Sequence, residues 1–282
     1  MASQQGIKQR IKSVTNTRQI TKAMQLVAAS KLRRAQEAAL GPKAYIVAAQ
    51  ELLSSLASSP EAQYHPLFQQ RKTKKALTIV ITSDRGLAGA YNSNVNRLLM
   101  KHTVELSVPH HIICIGRYAA MHVARVIDLN ELAAYNIDGH DADSAIAQPT
   151  LKEAIDLYTN GDVDVVNLIY TKFISTVVQQ PVIEQLLPVV STATAQQGRT
   201  YEPEPEQLLD FAITRLLEAQ ILQAILESRA SEHAARMMAM KNATDNAEEL
   251  IDDLTLAYNN ARQAAITQEL AEITAGAEAV ST

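Results

Sequence analysis

Residues 240–271 read MKNATDNAEELIDDLTLAYNNARQAAITQELA, and this stretch decides the fold. It belongs to a longer run, residues 207–275, that contains neither Gly nor Pro. At the rise of an α-helix such a run permits a helix about 100 Å long. A compact chain of 282 residues has a radius of gyration of only about 19 Å. If the helix is continuous, it is therefore predicted to project from the body of the protein.

A three-and-four spacing of apolar residues runs through this stretch and predicts a coiled-coil seam. The seam positions are Met240, Ala243, Ala247, Leu250, Leu254, Ala257, Ala261, Ala264, Gln268 and Ala271. Most of them are alanines, which allow close approach of a second helix but bury little area each. The sequence therefore predicts a coil that needs support from outside the chain.

The N-terminal segment is the natural partner for this helix, because residues 7–40 also lack Gly and Pro. Its apolar residues at helical spacing are Ile7, Ile11, Val14, Ile20, Met24, Val27 and Leu32. Gly41 and Pro42 are predicted to kink or end the helix, which resumes over residues 43–56. Residues 1–40 carry a net charge of +7 and residues 206–282 carry −8, which favours an antiparallel pair. Two ordinary helices in a bundle remain the alternative.

Between these ends the pattern changes to short apolar runs typical of buried strands. Strands are predicted over residues 76–82, 111–115 and 163–170, a further strand over 173–178, and helices over 94–102, 117–126 and 151–158. Residues 201–205 (YEPEP) read as an extended link. The predicted fold is a long antiparallel coiled coil of residues 1–60 and 206–282 with a small, Rossmann-like central α/β domain over 61–205.

Composition excludes several classes of protein. The single cysteine, Cys114, rules out a disulfide framework and a zinc site built on several thiolates, and it favours a reducing compartment. The apolar runs are far shorter than the roughly 20 residues that span a bilayer. The basic N-terminus is compatible with a mitochondrial presequence or a nucleic-acid arm, but its sustained apolar spacing favours a helix of the mature protein.

No motif for catalysis, cofactor or metal is assigned. Residues 81–95 (ITSDRGLAGAYNSNV) have the strand–turn–helix outline of a phosphate loop without its glycine spacing, so we interpret Gly86 and Gly89 as turn residues. A polar loop holds Asp138, His140, Asp141 and Asp143 without EF-hand spacing, and a solvated turn is favoured over a metal site. Cys114 lies in an apolar strand and is interpreted as a core residue.

Four segments together resemble one known family. They are residues 20–35 (ITKAMQLVAASKLRRA), the 81–95 loop, residues 230–251 (ASEHAARMMAMKNATDNAEELI) and residues 258–280 (YNNARQAAITQELAEITAGAEAV). In this order, and over nearly the whole chain, they are similar to the gamma subunit of F-type ATP synthase.

The resemblance implies a mechanical role without bond chemistry and without a cofactor of its own. In that family the coiled coil turns inside a ring of three alpha and three beta subunits, while the α/β domain stands on the membrane c-ring beside the epsilon subunit. The setting implied is the cytoplasmic face of a bacterial inner membrane, reached by docking as a peripheral protein. The alanine coil would find its outside support inside this ring.

The resemblance also implies contact residues. Arg262 and Gln263 match the pair that meets a loop of the beta subunit. The residues that match the region facing the acidic lever of beta are Lys22, Met24, Lys31, Arg34 and Arg236, and those that match the ring contact are Tyr201 and Glu202. Two other classes stay open at this point: a coiled-coil nucleic-acid organiser that uses the +7 segment, and a nucleotide-dependent enzyme that uses the Gly86–Gly89 loop.

Overall fold

A computed structural model describes residues 4–56, 65–126, 129–137, 142–189 and 205–281. The chain forms two compact units. The coil unit contains Met1–Val27 and Met237–Thr282, and the sheet unit contains Ala28–Arg236. The division of the chain at residues 60 and 205 stays a prediction. In the part of the chain that the structure describes, no helix is both long and apolar enough to cross a membrane.

Two long helices open and close the described chain. Helix α1 is Gln4–Leu56, with 53 residues, and α5 is Pro205–Ser281, with 77. The predicted end of the helix at Gly41 and Pro42 is wrong, because α1 passes through both without interruption. The predicted kink there stays a prediction. A proline inside a helix costs about 3 kcal/mol. Beyond it, Ile46 and Ala49 pack against the core of the sheet unit, and this packing favours continuation of the helix.

Within the coil unit, α1 and α5 run antiparallel. Three contacts show this, because partner numbers rise on one helix as they fall on the other: Gln4 with Tyr258, Arg18 with Glu248, and Thr21 with Thr244. The less exposed positions of α1 recur three and four apart at Gln4, Ile7, Ile11, Val14, Arg18, Thr21 and Gln25. Those of α5 are Met240, Thr244, Ala247, Ile251, Leu254, Tyr258, Ala261 and Ala265. These are the a and d positions of a coiled coil.

The predicted seam is half right. As far as Ala261, every second predicted position on α5 is confirmed, whereas the positions between them shift by one residue, as from Leu250 to Ile251. The last two predicted positions, Gln268 and Ala271, are exposed and lie outside the seam. Leu250, Ile20 and Val27, all predicted to face inward, are 46%, 60% and 57% exposed. The seam is also less alanine-rich than predicted, because Ile251 and Tyr258 take part. The structure thus corrects the expectation of a mostly alanine interface.

The sheet unit contains a five-stranded sheet in the order β3-β2-β1-β4-β5. Its strands are β1 Ala76–Ile81, β2 His110–Ile115, β3 Leu129–Tyr135, β4 Val165–Phe173 and β5 Gln179–Leu187. The first four are parallel, and β5 pairs with β4 in the antiparallel sense. The remaining helices are α2 Tyr91–Leu106, α3 Arg117–Val123 and α4 Ala142–Thr159, with a short 3-10 helix at Pro66–Phe68.

Both faces of this sheet are covered, as expected of a doubly wound α/β fold. On β1, Leu77, Ile79 and Ile81 join one apolar cluster with residues of α4 and of the first half of α5. Val80, on the opposite face, joins a second cluster with residues of α2 and α3. This alternation is the two-residue period of a strand buried on both sides.

Two expectations in this unit are corrected. Residues 174–178, predicted as part of a strand, form the turn between β4 and β5, because the Ser175 hydroxyl accepts hydrogen bonds from the N–H groups of Val177 and Val178. Helix α4 begins nine residues before its predicted start and contains Pro149. Ile146 and Ala147 are buried in the core, so their packing holds these additional two and a half turns, roughly, in helix.

Candidate subunit-contact residues

Arg262 and Gln263 lie on the exposed end of α5, in the coil unit. Tyr258 lies opposite Gln4, the first described residue of α1, and Arg262 follows one turn later. From Arg262 to Ala277 almost every side chain is exposed. Both side chains are therefore available to a partner, and the apolar Leu270 and Ile273 near them are 58% and 67% exposed.

Lys22 and Met24 lie on α1 of the same unit, on either side of the seam. Thr21 is buried in the seam, so the adjacent Lys22 points outward and is exposed. Met24 is half-buried beside the seam position Gln25. Of these two predicted contact residues, Lys22 is the freely accessible one.

Lys31 and Arg34 lie in the sheet unit, and the structure brings them together with Arg236. All three line a cavity of about 650 Å³ between α1 and α5. Lys31 and Arg34 are exposed at this cavity and form no ion pair with any residue in the described ranges of the chain. Two fixed cations at an open cavity provide an attractive surface for carboxylates.

Arg236 differs from the other two, because its guanidinium is already engaged. It donates to the carbonyl oxygens of Arg85, at 3.0 Å, and Gly86, at 3.2 Å, and it pairs with the Glu232 carboxylate at 2.6 Å. The Arg236 and Glu232 side chains are each only 11% exposed. Burial raises the pKa of Glu232, and the neighbouring Arg236 opposes that rise. Arg236 therefore holds the chain's own loop.

The loop after β1 belongs to residues 81–95, the stretch whose sequence most resembles a phosphate-binding loop. A ligand in such a sheet binds where the strand order reverses, here outside the carboxyl ends of β1 and β4. The loop presents the Arg85 and Gly86 carbonyl oxygens to Arg236, whereas a phosphate cradle presents N–H groups. Gly89 has a φ of +57°, as a turn residue requires, and a Cβ on Gly86 would stand 2.6 Å from the Tyr118 hydroxyl. The geometry fits the turn interpretation.

Asp84 and Arg229 are important residues of this region that the sequence reasoning missed. Asp84 accepts hydrogen bonds from the N–H groups of Arg117, at 2.8 Å, and Ile137, at 2.6 Å. Arg229 donates to the Ile137 carbonyl and pairs with Asp143 at 3.0 Å. A usable signal was present, because Arg229 stands among small residues on a largely buried stretch of α5. A charged residue in such a place requires a partner.

Some predicted residues lie outside the described part of the chain. They are Tyr201 and Glu202, of the predicted ring contact, and Asp138, His140 and Asp141, of the polar loop. Asp143, the fourth member of that loop, is paired with Arg229. Among the described residues, no group of three or more His, Cys, Asp or Glu side chains is arranged to hold a metal ion.

The two long helices and the exposed end of α5 define a protein that works through contacts with other chains. A family model described as ATP synthase matches residues 3–280. The ATP synthase gamma chain of Acidithiobacillus ferrooxidans is 43% identical over 294 residues, covering 99% of this chain and 100% of that one. The gamma chain of Moorella thermoacetica is 39% identical over 282 residues, with 99% and 100% coverage.

Solved structures agree. The central stalk and c-ring structure of Tetrahymena thermophila mitochondrial ATP synthase contains a chain with a TM-score of 0.63 and 25% identity, covering 79% of this chain and 99% of that one. A rotor chain of Euglena gracilis mitochondrial ATP synthase shares the fold, with a TM-score of 0.70, 19% identity, and coverage of 93% and 98%.

The chain belongs to the ATP synthase family and, within it, to the gamma chains. It is a central-stalk subunit of an F-type ATP synthase, a membrane-associated complex. The nucleic-acid alternative is not favoured by these matches.

Proposed function

We propose that the chain turns inside its complex and carries torque from the membrane c-ring to the catalytic beta subunits. The observation that carries this proposal is the pairing of α1 with α5 in the coil unit, which leaves residues 266–277 of α5 exposed. A helix end without a partner among the described residues is an unstable surface in water. Contact with a surrounding ring of subunits would stabilise it.

The partners under this proposal are three alpha and three beta subunits, an epsilon subunit and the c-ring. Arg262 and Gln263 meet a loop of beta, and Lys22, Met24, Lys31 and Arg34 face its acidic lever. Exposed cations attract carboxylates without requiring one fixed geometry, which suits contacts that must form and release in each turn. The proposal includes Arg236 in the same group because of the motif resemblance, in addition to the loop contacts of its guanidinium. Tyr201 and Glu202 make the contact with the ring.

The proposal places bond chemistry in the beta subunits and gives this chain no catalytic residue. It places the complex at the cytoplasmic face of a bacterial inner membrane, with this chain held there by its partners. Under this proposal the loop after β1 has a structural role. Its carbonyl oxygens accept hydrogen bonds from Arg236, and the Ser83 N–H donates to the Asn92 side chain.

The test replaces Arg262 and Gln263 with Ala in the assembled complex. Loss of a charged and an amide contact at an interface is expected to lower coupled ATP turnover about tenfold. The matched control replaces Lys241 and Asn242, another exposed cation and amide on the coil-unit part of α5, and turnover should stay unchanged. Circular dichroism of the isolated variants should remain that of the parent chain. Equal turnover in parent, variant and control would remove Arg262 and Gln263 from the contact surface.

A further inference from the structure

The carboxyl edge of the sheet is fastened to α5 by polar contacts at three strands. After β1, the carbonyl oxygens of Arg85 and Gly86 accept hydrogen bonds from Arg236. After β3, the Ile137 carbonyl accepts one from Arg229. Near the end of β4, the Ser231 hydroxyl donates to the carbonyl of Thr171 at 3.0 Å.

These contacts form a closed circuit. Asp84 joins the first loop to the second, because its carboxylate accepts the N–H of Ile137 at 2.6 Å. From Ile137 the circuit returns to α5 through Arg229, and from the loop after β1 it returns through Arg236. The two arginines are seven residues apart, which places them two turns apart on one face of the helix.

Both arginines are held in position by buried carboxylates. The Arg229 and Asp143 side chains are 12% and 10% exposed, and those of Arg236 and Glu232 are 11% each. A buried pair that loses one partner leaves an uncompensated charge, so neither guanidinium can leave its loop easily. Apolar side chains, by contrast, can slide past each other without losing a directed bond.

We propose that Arg229 and Arg236 form a clamp that prevents α5 from twisting relative to the sheet, so that torque passes between the α/β domain and the helix. Both are positioning residues, since they act through the loops that they hold. The clamp rests on the proposed rotary function, because only a chain that transmits torque needs a fastening that resists twist. The polar bonds resist rotation of the helix about its axis, whereas the apolar clusters beneath them resist separation.

Torsional stiffness of the assembled complex tests the clamp. The beta subunits are fixed to a surface, and a bead is attached to a cysteine introduced as Val104→Cys, a position on α2 that is 71% exposed. The angular variance of the bead is recorded without nucleotide turnover. Replacing Arg229 and Arg236 with Gln leaves only the Ser231 contact of the three contacts between α5 and the carboxyl edge of the sheet. If the three contacts are similarly stiff, the angular variance that arises between α5 and the sheet is expected to rise about threefold.

Arg215→Gln is the matched control, because Arg215 lies on the same helix but pairs with Glu218 of that helix, and its side chain is 48% exposed. The control should keep the parent's variance. An unchanged variance in the double variant, or an equal rise in the control, would overturn the clamp. If the double variant does not assemble, Arg236→Lys takes its place: one ammonium cannot reproduce the forked contacts, so the variance should rise, and parent-like variance would overturn the clamp.

Addition of ATP separates this inference from the proposed function. A parent bead that rotates in one direction with ATP supports the rotary function whatever the variants do. A parent bead that never rotates in an ATP-hydrolysing complex contradicts the rotary function itself. Rotation of the parent together with unchanged variance in the variants refutes the clamp alone.

Discussion

The contact between Thr21 and Thr244 offers a sharp test of the antiparallel register. Both residues are buried in the seam of the coil unit, at 8% and 7% exposure, and their hydroxyl oxygens are 2.8 Å apart. Each hydroxyl also lies within 3.0 Å of a carbonyl oxygen on its own helix, Arg18 for Thr21 and Met240 for Thr244. Two hydroxyl protons therefore serve three acceptors.

This shortage of protons limits the free energy that the hydrogen bond between Thr21 and Thr244 contributes. A full hydrogen bond contributes about 1 kcal/mol net, and a bond that competes with two helix carbonyls contributes about 0.5 to 1 kcal/mol. Thr21→Val removes the interhelical bond, and so does Thr244→Val, so the double variant cannot lose it twice. The double-mutant cycle should consequently show a coupling free energy of about 0.5 to 1 kcal/mol.

Urea unfolding of the isolated chain and its three variants, followed by circular dichroism, measures this cycle. The matched cycle uses Thr17→Val and Thr255→Val, whose hydroxyls bond only to carbonyls on their own helices among the described contacts. Additive free energies of unfolding in that control are expected. Additive values for Thr21 and Thr244 as well would refute the register, because two residues that do not touch show no coupling.

Four further outcomes follow from residues of the sheet unit. Gly116→Ala should lower stability by about 3 kcal/mol or more in thermal or urea unfolding, because φ is +100° and the new Cβ would stand 2.2 Å from a carbonyl oxygen. Gly41→Ala, a helix position with nothing within 4 Å, should instead raise it by about 0.5 to 1 kcal/mol. Burial lowers the pKa of His102 and of His110 below 6.5, so the folded state disfavours their charged forms, and stability should fall as pH drops below 6.5. Replacing both histidines with Gln should reduce the fall in Tm between about pH 7.5 and 5.5, and an undiminished fall would contradict this origin. Burial raises the pKa of the Cys114 thiol to about 12, so the folded chain should not react with a thiol reagent at about pH 8, whereas the urea-unfolded chain should react fully.

The general plan of the fold could be predicted from sequence because its signals are long. A helical run without Gly or Pro and three buried strands gave the coil and the α/β sheet, and β1 came within one residue of its observed bounds. The edge strands β3 and β5 carry weaker signals, because they are only partly buried. An edge strand shows no continuous apolar run, which is why both were missed.

The seam register shows a different limit. At alternate seam positions of α5, either of two adjacent residues fits the three-and-four spacing, as Leu250 and Ile251 do. Hydropathy alone cannot separate neighbours that are both apolar, and it rejects Thr244 because of its hydroxyl. In the folded coil, Ile251 and Thr244 occupy the seam. Thr244 is accepted there because its hydroxyl bonds to that of Thr21 across the interface. Such a choice depends on the second helix and cannot be found on the first alone.

The contact residues illustrate the same point. Exposure of Arg262 and Lys22 agrees with what family motifs imply, because an exposed helix position needs nothing else from its own chain. The intramolecular role of Arg236 could not be predicted, because its partners Arg85 and Gly86 are about 150 positions away in the chain. Only the folded sheet brings that loop beside α5.

Affinity capture of the tagged full-length chain from detergent-solubilised membranes of its host tests the central claim most directly. The co-purifying subunits are identified and their ratios measured, and ATP hydrolysis is assayed on the same sample. We expect three alpha and three beta subunits for each copy of this chain, together with ATP hydrolysis. Recovery of the chain alone, or with nucleic acid and without alpha and beta subunits, would contradict its place in a rotor.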